Sequence, residues 1–322
     1  MSLMPRKGAA MPTIPAISEH LGETLATIHR DAVARPVQGR LADYIPALAV
    51  VVPSQCGIAV ATLDGEVAAA GDAETAFSIQ SISKVFSLVL SMQRMGASLW
   101  SRVGMEPSGQ PFNSIVQLEW EHGIPRNPFI NAGAILVADT LVAHFSASRP
   151  AFLGFLRKLS GNERLMVNEE VLASESLHGS RNAALAHLMK SFGNLEAEVG
   201  QVLDHYFFQC SVEMNCTDLA RSLLFLANRG TQPSSGEVVC SQRDAHRVNA
   251  ILSTSGMYDQ SGQFAFSVGL PAKSGVGGGI VAIVPGYGVI AAWSPPLNAH
   301  GNSSTALWMI TRLAGKLGLS IY

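Results

Sequence analysis

Apolar residues recur along this chain with two periods, and the periods sort its segments. Ile17, Leu21, Leu25 and Ile28 fall on one face of a 3.6-residue spiral, so residues 17–34 are expected to form an amphipathic helix. Asp43-Tyr44-Ile45-Pro46 interrupts that pattern as a loop, because proline disfavours a helical residue before it. Gly57 to Leu63 and Glu66 to Ala70 are small or β-branched and flank Asp64-Gly65, a dipeptide suited to a tight hairpin. Beyond Phe77 the pattern turns helical, through Val85–Met95, Ala134–Phe145, Ala183–Ser191, Glu196–Phe207 and Thr217–Asn228. Strand-like runs return at Phe264–Gly269, Gly279–Val284 and Val289–Trp293, with Pro285-Gly286-Tyr287-Gly288 as a turn. A last helix is expected over Ser304–Leu317.

Strands at both ends joined by short turns pair antiparallel, so the simplest assembly is one sheet built from the two ends. This predicts an α+β fold, an antiparallel sheet flanked by helices with a helical lobe inserted between its N- and C-terminal parts. Residues 12–80 and 245–322 would form the sheet lobe and 81–244 the helical lobe, with a cleft between them. Residues 1–11 read as a loose tail.

Composition narrows the class. Of 322 residues, 48% are hydrophobic and 14% charged, a balance incompatible with disorder and sufficient for a large core. The net charge of -2 and the lack of a Lys/Arg run speak against nucleic acid as a partner. No stretch approaches the roughly 18 apolar residues of a membrane span, and no apolar run follows the N-terminus as in a signal peptide. A cytoplasmic location is therefore expected. The cysteines, at 56, 210, 216 and 240, form no C-x-x-C and read as reduced core residues. The nine histidines show no H-E-x-x-H and no clustered spacing, so neither metal nor cofactor is expected.

The chemistry concentrates in Phe77-Ser78-Ile79-Gln80-Ser81-Ile82-Ser83-Lys84. Ser81 and Lys84 are three residues apart and share a face if the segment is helical. At a helix start the backbone N–H of Ser81 can donate to an oxyanion. Lys84, among Ile82, Val85 and Phe86, would be desolvated and pushed toward a neutral amine, the base that a serine nucleophile needs. Ser-x-x-Lys arises by chance about once in a chain of this length. Yet of the six lysines only Lys84 has a serine three places before it, and it sits in an apolar segment. Far downstream, Lys273-Ser274-Gly275-Val276-Gly277-Gly278-Gly279 resembles the K-T-G element that accompanies S-x-x-K in β-lactamases and penicillin-binding proteins. On a sheet-edge strand it could bring a second N–H opposite Ser81. No S-D-N element matches. Tyr206 and Tyr258 remain as candidates for the missing proton relay, each against the plain alternative of a packed aromatic.

Taken together, Asp43 to Pro46, Phe77 to Lys84, Asn127 to Ala134, Arg181-Asn182, Ser255 to Tyr258 and Lys273 to Gly279 resemble the serine-dependent, β-lactamase-like bacterial glutaminase family, from about Ile17 to Tyr322. The resemblance implies hydrolysis of L-glutamine to L-glutamate and ammonia, with Ser81 as nucleophile, Lys84 as base and Tyr258 as proton relay. It implies that Asn131, Glu175 and Asn182 hold the α-amino and α-carboxylate groups, that Tyr206 contacts substrate and that the Val276 N–H completes the oxyanion hole. Tyr44 would line the pocket. The seven-residue step from Glu175 to Asn182, about two helical turns, supports placing both on one face. The resemblance also implies a homo-oligomer, dimer or tetramer, and no membrane partner. The alternative is a β-lactamase or penicillin-binding type of serine hydrolase, which the absent S-D-N and the Asn-Ala-Gly-Ala block count against. A binding module that senses glutamine without turnover would be expected to lose Ser81 or Lys84, and both are present.

Overall fold

The computed structural model describes residues 20–109 and 113–322. Its helices run in chain order as α1 (Leu21–Val33), α2 (Ser83–Met95), α3 (Ile115–Trp120), α4 (Asn131–His144), α5 (Ser148–Ser160), α6 (Glu169–His178) and α7 (Ser180–Ser191). Then come α8 (Val199–Cys210), α9 (Cys216–Ser222), α10 (Leu224–Ala227), α11 (Gln242–Ser255), α12 (Ser261–Ser267) and α13 (Ser304–Leu317). The strands are β1 (Gly57–Thr62), β2 (Val67–Gly71), β3 (Phe77–Ser78), β4 (Glu213–Met214), β5 (Ala272–Ser274), β6 (Gly279–Val284) and β7 (Gly288–Trp293).

One five-stranded sheet has the order β2-β1-β7-β6-β5, antiparallel throughout. It joins the early hairpin to the late strands, and the K-S-G strand β5 is its edge. In β1, β6 and β7 every residue is buried, so along these strands neither sheet face meets water; the edge strand β2 is partly exposed. The pleat still sorts the side chains by parity. Ala59, Ala61, Val281, Ile283, Val289 and Ala291 enter the larger core, which also takes α2, α4, α8 and α9. Their neighbours Ile58, Val60, Ile280, Ala282, Ile290 and Ala292 face a second core shared with α1, α12 and α13. In α1 the buried residues Leu21, Thr24, Leu25, Ile28 and Ala32 follow helical spacing, as expected for a helix lying on a sheet.

Helix α4 is different. It is buried continuously from Ala132 to Leu141, which makes it the central helix of the helical layer, packed against α2, α7 and α8. Side-chain caps at Asn168, Ser241 and Ser303 fix the starts of α6, α11 and α13.

Some expectations fail for physical reasons. Phe264–Gly269 is not a strand but lies mostly in α12. A strand would bury Phe264, Phe266 and Val268 together, whereas Phe266 is 94% exposed and the buried pair is Phe264 and Val268, four apart. The expected helix Thr217–Asn228 breaks into α9 and α10 at Leu223. Helices α3, α5, α6 and α11 had no counterpart among the helical segments read from the pattern. Expected structure at 17–19, and the 1–11 tail, lie outside the described residues.

Candidate active site

The chain enters the site along β3, which pairs with β4 through Phe77 and Met214. Ser78 Oγ donates to the Cys210 carbonyl at 2.9 Å and the Ile79 N–H to the Val212 carbonyl at 2.9 Å. Gln80 then takes a left-handed conformation, φ 48°, while buried, a costly backbone for a side chain of its size. Its side-chain amide donates to Ser78 Oγ at 3.0 Å and also bonds to the Glu175 carboxylate. This turn carries Ser81 on a short 3-10 segment, Gln80–Ile82, straight into α2. Ser81 is partly exposed; Lys84, one turn on, is 1% exposed.

Lys84 is held on two sides. Its Nζ donates to Asn131 Oδ1 at 2.8 Å and to the Phe129 carbonyl at 3.2 Å. Asn127 Oδ1 accepts the N–H groups of Phe129 and Ile130, which aims that carbonyl. Gly133 lets α4 approach this turn, since a Cβ there would lie 1.9 Å from the Asn127 carbonyl oxygen. Asn131 Nδ2 donates in turn to Asn182 Oδ1 at 3.0 Å, so Lys84, Asn131 and Asn182 form one chain of bonds. Burial pulls the Lys84 pKa down to about 8, against the opposing pull of Cys210 and Glu175. The Glu175 carboxyl is pushed up to about 7 by burial, with Gln80 and Lys84 opposing. Tyr206 is buried beside them, its ring centroid 5.9 Å from Lys84 Nζ, and desolvation raises its phenol well above 10.0.

Across from α2 lies the end of β5. Tyr258 follows α11 with φ 51°, a second left-handed residue, fixed by Ser261 Oγ donating to its carbonyl at 2.9 Å. Burial, the larger effect, pushes its hydroxyl up to about 12, while the nearby side chains of Ser81 and Ser274 pull the pKa down. Lys273 Nζ sits 4.6 Å above the Tyr258 ring and donates to the Ser274 carbonyl at 2.6 Å. Burial, then the nearby Lys84 charge, drives its pKa well below the ordinary lysine value. The next residues run hard against the serine turn. A Cβ on Gly275 would lie 2.5 Å from the Ile79 carbonyl oxygen and 3.3 Å from the Ser81 nitrogen. One on Gly277 would lie 2.1 Å from the Ser78 carbonyl oxygen. Val276 between them is buried by Ala42, Ile45, Leu48, Val171 and Leu297. Its N–H has no acceptor among the described residues. Tyr44 stands at the rim, exposed as a residue, while its hydroxyl is raised mainly by desolvation and then by Tyr258 and Glu175.

The residues singled out in the sequence therefore gather around the start of α2. One supporting argument was wrong: Glu175 and Asn182 are not two turns apart on one helix. They belong to α6 and α7, separated at Gly179, where a Cβ would meet the Phe207 ring at 2.3 Å. Gln80, Cys210, Lys273 and Ser274 also belong to the cluster and were not picked as site residues. The apolar surroundings that marked Lys84 mark Lys273 equally, in Leu270-Pro271-Ala272-Lys273. Nothing local distinguishes Gln80 or Cys210. Chemically, the arrangement offers a hydroxyl one turn before an amine whose pKa is drawn down to about 8, a phenol close to that hydroxyl, and, just past β5, an N–H with no acceptor among the described residues.

Comparison with known proteins gives the family. Residues 39–322 match the family model for glutaminase. A glutaminase of Pseudomonas fluorescens is 53% identical over 294 residues, covering 91% of this chain and 97% of the relative. A probable glutaminase from Bacillus subtilis, solved in complex with 6-diazo-5-oxo-L-norleucine, superposes with a TM-score of 0.85 at 35% identity, covering 95% of this chain and 98% of that one. The glutamate form of a protein called Mglu gives a TM-score of 0.88 at 36% identity, over 94% of this chain and 69% of that one.

Proposed function

The chain belongs to the glutaminase family of hydrolases, and from that premise we propose that it cleaves the side-chain amide of L-glutamine through an ester on Ser81. Lys84 takes the Ser81 proton, the serine oxygen bonds to the amide carbon, and the oxyanion is held by the N–H groups of Ser81 and Val276. The carbon–nitrogen bond then breaks, and ammonia leaves with a proton delivered through Tyr258 from Lys84. Water hydrolyses the ester, and glutamate departs. Asn131, Asn182 and Glu175 hold the α-amino and α-carboxylate groups, with Tyr206 against the substrate. In this reading the described residues of 12–80 together with 245–322 act as the sheet lobe and those of 81–244 as the helical lobe, and the cleft between them takes the substrate.

The observation that carries this reading is Lys84: a buried amine held by Asn131 and Phe129 one turn after a hydroxyl that Tyr258 also contacts. A structural lysine needs neither a pKa near 8 nor a serine at that spacing. Treatment with 6-diazo-5-oxo-L-norleucine, followed by peptide mass spectrometry, tests it. The expected adduct is on the peptide carrying Ser81; label on another serine, or on Cys210, overturns the assignment. The reading extends to a cytoplasmic homo-oligomer, supported by the exposed apolar residues Val116, Trp120 and Phe192 on and beside the packed pair α3 and α7.

A further inference from the structure

A second cavity, of about 300 Å³, lies behind the Tyr258 turn, between the segment after α1, helix α12 and one side of α13. That volume is at the lower end of sites that hold small molecules. Helix α13 buries Ala306, Met309, Ile310 and Leu313 in the second core. Beside that face Ser304, Leu307, Trp308 and Thr311, spaced three and four apart, make one wall of the cavity. Its charge is one-sided. The Arg35 guanidinium lies 4.7 Å from the Trp308 ring centroid and that of Arg312 lies 5.9 Å away. Among the described residues neither has an ion-pair partner, and none of the residues lining the cavity is acidic. Arg35 is thus the one charged group among the lining residues, and Arg312 stands by the same indole outside the lining; together with Gln38 and Gln263 this leaves an anion-receptive wall beside an apolar one.

The floor of the cavity is tied to the active site. It includes Met257 and Gln260, on either side of Tyr258. Gln260 Oε1 accepts from Asn298 at 2.8 Å and from the fully buried Asn302 at 2.7 Å, and Asn302 donates also to the Met257 carbonyl at 3.1 Å. The Met257 N–H donates to Ser261 Oγ, the group that holds the Tyr258 carbonyl. Cavity floor and left-handed tyrosine turn are thus one bonded unit.

We propose that this cavity is an effector site for a small aromatic or heteroaromatic carboxylate. Its anionic group meets Arg35, its flat body packs on Leu307 and Phe264, and its occupancy shifts the turn that carries Tyr258. Binding stands without any assumption about the reaction; the effect on turnover rests on the proposed role of Tyr258. A ligand changes turnover only by differing in affinity for two positions of that turn.

The probe is 4-fluorobenzoate, followed by fluorine NMR line broadening on the full chain, with neutral 4-fluorobenzamide as control. Saturable binding of the acid is expected, with the amide and the variant R35Q each weaker by roughly tenfold. The variant should keep its glutamine turnover when no probe is present. In the wild type, saturating probe should change kcat by about twofold or more, and in the variant it should not. Absence of saturable binding, equal binding by the variant or the amide, or displacement by L-glutamate overturns the site. Saturable binding that leaves kcat unchanged overturns the link to Tyr258 while leaving the Ser81 assignment untouched.

Discussion

The two walls of the candidate site are built from different material. On the helical wall, Lys84, Asn131, Asn182 and Glu175, the residues given a role in the proposal, present side chains on α2, α4, α7 and α6 that meet one another or their neighbours. On the strand wall, the useful groups are a backbone N–H at Val276 and a phenol on a left-handed turn, placed there by glycines that allow β5 to touch the serine turn. A wall of side chains is broken by changing what a residue is chemically. A wall of backbone is broken only by moving it. Substitutions on the two walls should therefore fail in opposite patterns, and that contrast is what experiment can break or sharpen.

The largest effect belongs to the helical wall. Lys84→Arg keeps the positive charge but cannot lose its proton near neutrality. Turnover should fall about 10³-fold, close to the loss in Lys84→Ala, because general-base assistance to an activated nucleophile is worth about 10² to 10⁴. Steady-state ammonia release checks it, and near-normal turnover in the arginine variant would mean that Lys84 serves as a fixed charge. The wild-type pH profile adds a sign. The base works only when neutral, and its pKa lies near 8, so kcat/KM should rise as pH increases through that value. Coupling to Tyr258 makes the observed midpoint a property of the pair.

Next comes Gly277→Ala on the strand wall. The added Cβ would sit 2.1 Å from the Ser78 carbonyl oxygen, a backbone atom that cannot swing aside. Strand and serine turn must separate, and a displacement near 1 Å can cost about 10² in rate. The expected signature is a kcat loss of that order with the far-ultraviolet circular dichroism retained. Unchanged kcat would show that the strand does not need its close approach, and the contrast between the walls would fall.

Sequence reading reached the two walls unequally, for the same reason. Ser81 and Lys84 are three residues apart, and local spacing predicts their meeting. The hairpin around Asp64-Gly65, the strands β6 and β7 and helix α13 were legible because each follows a single clear period. The β5 edge position followed from the K-S-G resemblance. What the chain does not reveal locally is contact across long separations. Ser78 meets Cys210 where β3 pairs with β4, a two-residue ladder with no periodic signature, and Gln80 meets Glu175 across about 95 residues of sequence. Phe264–Gly269 misled because Phe264, Phe266 and Val268 alternate like a strand, while burial follows the four-residue step of a helix. Glu175 was picked by the family resemblance, and the helical spacing to Asn182 offered in its support does not exist.

Glu175→Gln should give a smaller effect, and one confined to binding. The carboxylate lies 7% exposed beside Gln80 and Lys84, and a ligand ammonium would pair with it away from bulk water. The neutral amide loses that pairing, so KM for glutamine should rise by roughly tenfold or more while kcat changes little. In the wild type KM should fall as pH rises through about 7, where the carboxyl ionises, and this dependence should vanish in Glu175→Gln. A KM that stays flat in both enzymes removes Glu175 from the ammonium site.

The smallest effect on catalysis should come from Val276→Ala, although Val276 sits at the centre of the strand wall. Its side chain points into the cluster of Ala42, Ile45, Leu48, Val171 and Leu297 and is 7% exposed. Truncation removes buried hydrocarbon worth about 1 to 2 kcal/mol, so the urea midpoint should fall. The backbone N–H is untouched, and flanking glycines still fix its position, so kcat should stay within about twofold of wild type. Val276→Pro reverses the pattern by deleting the N–H while keeping an apolar side chain. The loss of one oxyanion donor corresponds to about 10² to 10³ in kcat. If the alanine variant loses activity in parallel with the proline variant, the side chain rather than the backbone does the work. The strand wall would then be of the same material as the helical one, and the distinction between them would be gone.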